Sequence, residues 1–298
     1  FFQQLYNTVD TIIVGQTVGT SALAAVGSTG NLTNLIINFY VGLSTGASVV
    51  IAQYYGAQNN KKIHQAVHTS YSLAIVSGIL MMLFGLFFSY QCLDAIGTPH
   101  DILNDATLYM QLYFLCMIPG AIYNIGAGIL RAVGDSKRPL YYLIVCSIVN
   151  VVFDYIFVVI FHQGIAGAAI ATVIAQFVCA ILVTIQLMRT NEVYKLTLSK
   201  MKFHLPVLKK IIMIGAPAGI QSTMYSISNI VLQSHINAFG TQTIASWSVY
   251  VKIDALFWMM IAAIGAAITT FSGQNYGAHL HDRIKKGTRT ALAMDFIM

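Results

Sequence analysis

The sequence predicts an all-α polytopic membrane protein, because of its composition, its long apolar runs and the placement of its bases. Hydrophobic residues make up 57% of the 298-residue chain and charged residues only 9%, whereas soluble domains carry about 25% charged residues. Residues 139–162 form an apolar run long enough to cross a bilayer core of about 30 Å, and similar runs recur along the chain. Lys and Arg are confined almost entirely to short segments between these runs.

Nine helices are predicted in chain order from these apolar runs. We expect them at residues 1–16, 31–55, 63–92, 106–130, 139–162, 164–188, 207–238 and 243–272, followed by the start of a ninth that ends at residue 298. Residues 17–21 and 94–105 are expected to be polar connections, and Pro119 and Pro217 are expected to kink the fourth and seventh helices. The chain begins without Met and ends within the ninth helix, so we expect it to be truncated at both ends.

The bases predict the orientation of the helices. Lys and Arg follow the second, fourth, sixth and eighth helices, and the connections after the first, third, fifth and seventh helices contain neither. Because these residues accumulate in cytoplasmic loops, the even connections and the N-terminus are expected in the cytoplasm. The predicted location is therefore the plasma membrane. Lys252, two residues before Asp254 in the eighth helix, departs from the pattern.

Asp154 is a carboxylate well inside the fifth apolar run. A charge at the centre of a bilayer costs roughly 2.5 to 3.5 kcal/mol on insertion scales, so such an acid predicts a functional site. Asn150 precedes it by one helical turn, which places both side chains on the same helical face. Carboxylate and amide oxygens suit a hard cation, and the carboxylate also suits a proton.

Depth counting brings further polar residues to the level of Asp154. Asp10 and Asp154 are predicted about six and eight residues, or roughly 9 and 12 Å, below the outer surface. Thr172 in the sixth helix and the pair Asn34 and Asn38 in the second are expected in the same layer. The alternative interpretation is a set of ordinary interhelical hydrogen bonds, each worth about 0.6 kcal/mol.

An internal repeat relates the two halves of the chain. A shift of 221 residues aligns GTSALAA with GTQTIAS and QYYGA with QNYGA in a single register. The predicted architecture is two pseudo-symmetric bundles of six transmembrane helices, the second incomplete here. The first bundle spans residues 1–188, a cytoplasmic linker spans 189–206, and the second bundle begins at 207 and continues to 298. The two bundles are related by an axis along the membrane normal, an arrangement typical of rocking transporters.

Five segments carry a resemblance to a known family. They are YNTVDTIIVGQTVGTSALAAVG, GASVVIAQYYGA, GILRAVGDSKRP, NVVFDYIF and GIAGAAIATVIAQ. In order and spacing they resemble the MATE (multidrug and toxic compound extrusion) family, of the DinF-like or NorM-like bacterial type. The resemblance implies a monomeric antiporter of twelve helices that extrudes organic cations in exchange for Na+ or H+ by alternating access, without a cofactor.

The resemblance also implies a set of site residues. The first-lobe cation site of DinF-like members matches Asp10, Asn150, Asp154 and Thr172, where Na+ or H+ would bind. Tyr6 and Asn124 are nearby in that pattern, and with Asn34 and Asn38 they complete the supporting or substrate-lining set. The second-lobe acid of NorM-like members is missing from GAPAGIQSTMYS in the seventh helix.

Other functions are weighed against this interpretation. The chain contains no HExxH, GxSxG, Walker A or GxGxxG motif, so the sequence predicts no enzyme. The net charge of +6 does not indicate nucleic-acid binding, because aromatic residues are not interleaved with the bases. The alternative function is a lipid-linked oligosaccharide flippase of the same superfamily. Such a protein would need bases for a pyrophosphate in its cleft, whereas this first lobe is acidic and poor in bases.

Overall fold

The computed structural model describes residues 20–95, 97–237 and 241–297, and these residues form α-helices without a β-strand among them. The helices are α1 Thr20–Gly56, α2 Asn60–Ala95, α3 His100–Phe114, α4 Met117–Ala132, α5 Lys137–Asp154, α6 Gly164–Arg189, α7 Leu205–Asn237, α8 Thr241–Gly277 and α9 His281–Ile297. A π-helical segment, Tyr155–Ile160, continues α5, and a short 3₁₀ turn, Leu198–Lys200, lies between α6 and α7. The predicted all-α fold is confirmed.

Long apolar helices dominate the described part of the chain. Five segments of it are long and apolar enough to cross a membrane: Ile36–Gly56, Asn60–Ala95, Lys137–Ile160, Gly164–Arg189 and Phe257–Gly277. The pair α3 and α4 makes a sixth if its bend is accepted as part of one span. These segments carry large apolar side chains on their surface, among them Phe87 at 70% exposure and Ile148 at 59%, as expected for a protein that faces lipid.

Two predicted connections are wrong at their edges. Ser21, expected in a polar turn, lies in the first turn of α1. The expected loop at 94–105 ends early, because α3 begins at His100. The reason is amphipathic spacing: Ile102, Ala106 and Met110 repeat at about one helical turn and are all buried. Polar residues between them gave this segment the composition of a loop.

The predicted fourth helix consists of two helices, α3 and α4, which meet at an angle of 44°. Pro119 lies in the first turn of α4. Proline lacks the N–H that would bond to the carbonyl four residues earlier, and its ring crowds that carbonyl, so the helix breaks one turn before it. Pro217, by contrast, lies inside α7, which continues on both sides of it.

The α1–α7 crossing brings two helix backbones into direct contact. Gly42 and Gly46 of α1 face Gly215 and Gly219 of α7, and a Cβ on Gly46 would lie 2.7 Å from the Cα of Gly215. The small-xxx-small spacing on both helices permits this approach. The GxxxG of the second predicted helix therefore packs against another helix.

The α1–α8 contact near the ends of both helices is reciprocal. A Cβ on Gly56 would overlap the carbonyl of Gln274, and a Cβ on Gly277 would overlap the carbonyl of Gln53. Positions 53 and 274, like 56 and 277, are separated by 221 residues. The glycine of each repeat thus contacts the glutamine of the other repeat. A two-fold relation between the repeats requires this exchange of contacts.

One contact lies on the pseudo-two-fold axis itself. Ala52 faces its own repeat equivalent, Gly273, and a Cβ on Gly273 would lie 2.9 Å from the Cβ of Ala52. The division into two complete bundles stays a prediction, whereas these contacts show that the repeat register at the α1–α8 seam is structural.

The connections after α1, α4, α6 and α8 form what we call the basic end of the molecule. The connection between α6 and α7 is docked there on α2: the backbone N–H of Thr197 donates to Nε2 of fully buried His68 at 3.0 Å, and that of His204 donates to Thr69 Oγ1 at 3.2 Å. The basic linker is therefore packed against the helices. That the basic end faces the cytoplasm stays a prediction.

Candidate cation-binding site

Asn150 and Asp154 occupy the last turn of α5 and are deeply buried. The exposed fraction is 2% for Asn150 and zero for Asp154. Their spacing of four residues within an α-helix places both side chains on the same face. The predicted pair is thus formed, in an environment where only a bound cation, a proton or polar neighbours can offset the cost of the carboxylate charge.

The helix changes its winding directly after Asp154. Tyr155–Ile160 is π-helical, and it packs against the start of α6, where a Cβ on Gly167 would lie 3.0 Å from the Cβ of Phe157. π-Helical turns are rare and frequently occur at functional sites. The apolar sequence YIFVVI gave no indication of this change, which sequence reasoning missed.

Thr172 of α6 joins the pair on α5. Nδ2 of Asn150 donates to Oγ1 of Thr172 at 3.4 Å, and the same hydroxyl donates to the carbonyl of Ala168 at 3.1 Å. Thr172 is 8% exposed. The structure therefore brings together Asn150 and Thr172, which lie on different helices and were linked in the sequence by depth counting and by the family resemblance.

Oxygen atoms dominate the chemistry of this group. Among the described residues, Oδ1 of buried Asn150 has no hydrogen-bond partner. Together with the Thr172 hydroxyl and the carboxylate of Asp154 one turn away, it supplies three kinds of neutral and anionic oxygen. Hard cations prefer such ligands, and a proton would bind the carboxylate alone.

The remaining predicted residues fall in different places. Tyr6, Asp10 and the side chain of Asn34 lie outside the described residues. Asn38 is hydrogen bonded to the second half of the chain, because its Nδ2 donates to Ser226 Oγ on α7 at 2.9 Å. That hydrogen bond links the first and second halves of the chain.

Asn124 lines a cavity beside the buried group. Its Nδ2 donates to the carbonyl of Gly120 at 2.9 Å. The cavity has a volume of about 50 Å³, and its lining residues are all uncharged: Ile37, Tyr40, Tyr113, Cys116, Met117, Gly120, Ala121, Tyr123, Asn124, Leu143 and Gln176. Gln176 lies one turn beyond Thr172 on α6, so the cavity extends along the helix that carries the site. Sequence reasoning did not single out its three tyrosines.

A family model described as MatE matches residues 1–156 and 217–298 of the chain. Two relatives match this chain over nearly its whole length. The chain is 28% identical to the "probable multidrug resistance protein YoeA" of Bacillus subtilis over 99% of its length, and 24% identical to the "probable multidrug resistance protein NorM" of Thermotoga maritima over 92%. It spans 65% and 60% of the length of these two relatives.

A solved structure matches the fold closely. It is described as the outward-facing conformation of a multidrug resistance MATE family transporter of the MOP superfamily. The TM-score is 0.93 at 26% identity, and the match covers 99% of this chain and 66% of that one. The similarity therefore includes the arrangement of the helices as well as the sequence.

Proposed function

The chain belongs to the MatE family of membrane transporters, and from this premise we propose that the protein is a secondary antiporter that extrudes organic cations in exchange for Na+ or H+. The observation that carries the proposal is the buried group of Asn150, Asp154 and Thr172 at the π-helical end of α5. An intramembrane carboxylate with neighbouring neutral oxygens is suited to binding and releasing a small cation.

The coupling step is a change in the charge of Asp154. When H+ binds there, the carboxylate becomes neutral, and when Na+ binds there, the net charge of the pair is zero. In both cases the free energy cost of burying the group away from water falls. Asp10, expected at the same depth, would share this role. Ion binding then favours one conformation over another by the difference in ion affinity between them, which is what alternating access requires.

The substrate is proposed to bind where this cavity lies, after the movement of the two halves has widened it from the about 50 Å³ seen here. Tyr40, Tyr113 and Tyr123 contribute aromatic faces, and Asn124 and Gln176 contribute amide groups. Aromatic faces attract organic cations, and a nearby carboxylate adds charge complementarity. Because ion and substrate sites adjoin along α6, cation loading of Asp154 would weaken the attraction for a cationic substrate.

A flippase of anionic lipid-linked sugars is the rival function. Its cleft would need Lys or Arg to pair with phosphate, whereas the cavity lining described above contains neither. The relatives named above are described as multidrug resistance proteins, which also favours export of small molecules.

Transport by the purified protein in proteoliposomes, with the Na+ gradient and the pH gradient imposed separately, tests the proposal. We expect an outward gradient of one ion to drive uptake of a quaternary ammonium dye into the vesicles, in exchange for that ion. Equilibrium dye binding across pH and Na+ concentration should show competition between ion and dye. Dye binding indifferent to both ions would contradict the coupling, and preference for a lipid pyrophosphate over the dye would favour the flippase.

A further inference from the structure

Two buried cysteines link α5 to α6 through reciprocal hydrogen bonds. Sγ of Cys146 on α5 donates to the carbonyl of Ala175 on α6 at 2.8 Å. Sγ of Cys179 on α6 donates in return to the carbonyl of Tyr142 on α5 at 3.5 Å. Ala175 lies one helical turn before Cys179, and Tyr142 lies one turn before Cys146. Each thiol thus bonds to the carbonyl that precedes the other thiol by one turn.

The two thiols are enclosed by the helices that carry them. The exposed fraction is 2% for Cys146 and zero for Cys179, and both side chains pack with Ala175 in one apolar cluster. A thiol is a weak hydrogen-bond donor, so we assign these bonds a directional role more than an energetic one. Each bond fixes the position of one helix along and around the other.

The thiol bonds are the middle of three side-chain contacts that follow the α5–α6 interface, which we call the α5–α6 ladder. At one end Oη of Tyr142 donates to Oε1 of Gln186 at 3.4 Å, and at the other end Nδ2 of Asn150 donates to Oγ1 of Thr172 at 3.4 Å. The ladder residues are four apart on α5 and seven apart on α6, or about one and two helical turns. The ladder therefore follows one line of contact and ends at the candidate cation site.

The register of α5 against α6 decides how the amide of Asn150 is oriented. Its hydrogen bond to Thr172, at 3.4 Å, is longer than the roughly 3 Å typical of N–H···O bonds, so a small slide or rotation of either helix would break it. The amide could then turn, and Oδ1 of Asn150, which has no partner among the described residues, would lose its orientation toward a cation. The thiol bonds one turn away along α5 oppose such a movement.

We propose that Cys146 and Cys179 are positioning residues of the cation site, which set the register of α5 against α6 and thereby orient Asn150 and Thr172 for the coupling ion. The inference rests on the proposed antiport and deepens it at the same site. Neither thiol has to touch the ion, because each acts through the position of its helix.

Thermal unfolding of the purified protein at increasing Na+ concentration, and separately at decreasing pH, tests this role. The dependence of the apparent Tm on ion concentration gives the apparent Kd for the ion. In the double variant C146A/C179A this Kd should rise about 3- to 10-fold, which is less than the loss of a ligand itself would cause. A role in packing alone would lower the Tm equally at every ion concentration and leave the Kd unchanged.

Serine variants separate the hydrogen bonds from the volume of the side chain. The Cβ–Oγ bond of serine is shorter than the Cβ–Sγ bond, so the donor retracts by a few tenths of an ångström. From 2.8 Å the hydroxyl of Cys146→Ser stays within hydrogen-bond range, and this variant should bind the ion like the unmodified protein. From 3.5 Å the hydroxyl of Cys179→Ser falls outside that range, and this variant should behave like Cys179→Ala.

Ser147→Ala is the matched control for these variants. Ser147 adjoins Cys146 on α5, but its hydroxyl donates within the same helix to the carbonyl of Leu143 at 2.8 Å, so its loss should leave the Kd unchanged. An unchanged Kd in C146A/C179A, an equal rise in the control, or a Cys146→Ser variant as weak as Cys146→Ala would overturn the inference and leave the antiport standing. An unmodified protein whose Tm responds to neither ion would refute both. If the double variant does not fold, Cys146→Ala and Cys179→Ala alone carry the same comparison.

Discussion

Asn150 donates a hydrogen bond from Nδ2 to Oγ1 of Thr172 at 3.4 Å, and this contact ties the acid-bearing turn of α5 to α6. It satisfies the amide N–H side of Asn150, while the amide oxygen has no partner among the described residues. The amide N–H of Asn150 thus fixes the orientation of the side chain, and its amide oxygen is left to coordinate a cation. Ligands of a metal ion are commonly oriented by such a second hydrogen bond.

Asp154→Asn is expected to abolish ion-coupled efflux while the protein remains folded in the membrane. The amide is uncharged, so it costs less to bury than the carboxylate, but it can neither take up a proton nor neutralise a cation. Dye efflux from cells, measured with protein abundance, checks this. Asp10→Asn should behave in the same way.

Asp101→Asn is the matched control for these acid variants, because Asp101 is an exposed carboxylate in the first turn of α3. It should transport like the unmodified protein. Efflux at the unmodified level from Asp154→Asn would remove this residue from the mechanism, and loss of abundance would indicate a structural role instead.

Thr172→Val is expected to raise, by about 10- to 150-fold, the Na+ or H+ concentration that gives half-maximal dye release. Valine has nearly the same shape but lacks the hydroxyl, and a hydrogen bond or ligand contact to a charged group is worth about 1.5 to 3 kcal/mol. The release curve of purified protein measures the shift. If the curve does not move, Thr172 supports the helix packing only.

Thr184→Val controls for the loss of a hydrogen-bonded, half-buried hydroxyl on the same helix. Thr184 is hydrogen bonded to Tyr71 and to the carbonyl of Ala180, three turns from Thr172. It should lower stability slightly, by about 0.5 to 1.5 kcal/mol, without changing the ion dependence.

Gly277→Ala is expected to destabilise the α1–α8 contact, because the new methyl group would overlap the carbonyl of Gln53. Overpacking of this kind costs about 1 to 3 kcal/mol, and the apparent Tm should fall. Gly265→Ala, in the same helix, places its methyl group in open space and should be neutral or stabilising, since alanine favours a helix over glycine. Equal effects of the two substitutions would show that the close contact is not maintained in the membrane.

Ser199→Cys and His100→Cys test the orientation. Both positions are exposed and lie at opposite ends of the helices. In intact cells, after replacement of the native cysteines, an impermeant thiol reagent should label the cysteine at position 100 and not that at 199. The reverse pattern would overturn the positive-inside assignment.

Hydropathy predicted most of the fold because long helices in a membrane are set by bilayer thickness. Hydropathy failed where the structure depends on the position of a single residue, such as a proline, or on contacts between helices. The break before Pro119 and the π-helical turn after Asp154 lie in apolar sequence, where every residue has similar hydropathy. The start of α3 was hidden because its polar residues share a helix with buried ones.

Part of the candidate site could be predicted from the sequence, because it depends on spacing within single helices. Asn150 and Asp154 follow from helical spacing alone, and Thr172 follows from depth along an antiparallel neighbour. The rotation of Asn38 toward α7 depends on how the halves pack, which no single helix specifies.

The close contact between Ala52 and Gly273 limits which residues the two repeats can carry at this position. Because each residue faces its own counterpart across the axis, an ancestral duplication with identical halves would place the same side chain on both sides. The backbones leave room for one methyl group there, so alanine could have been fixed in one copy only while the other kept glycine. At this position the evolutionary history of each half is therefore constrained by the residue that its twin carries.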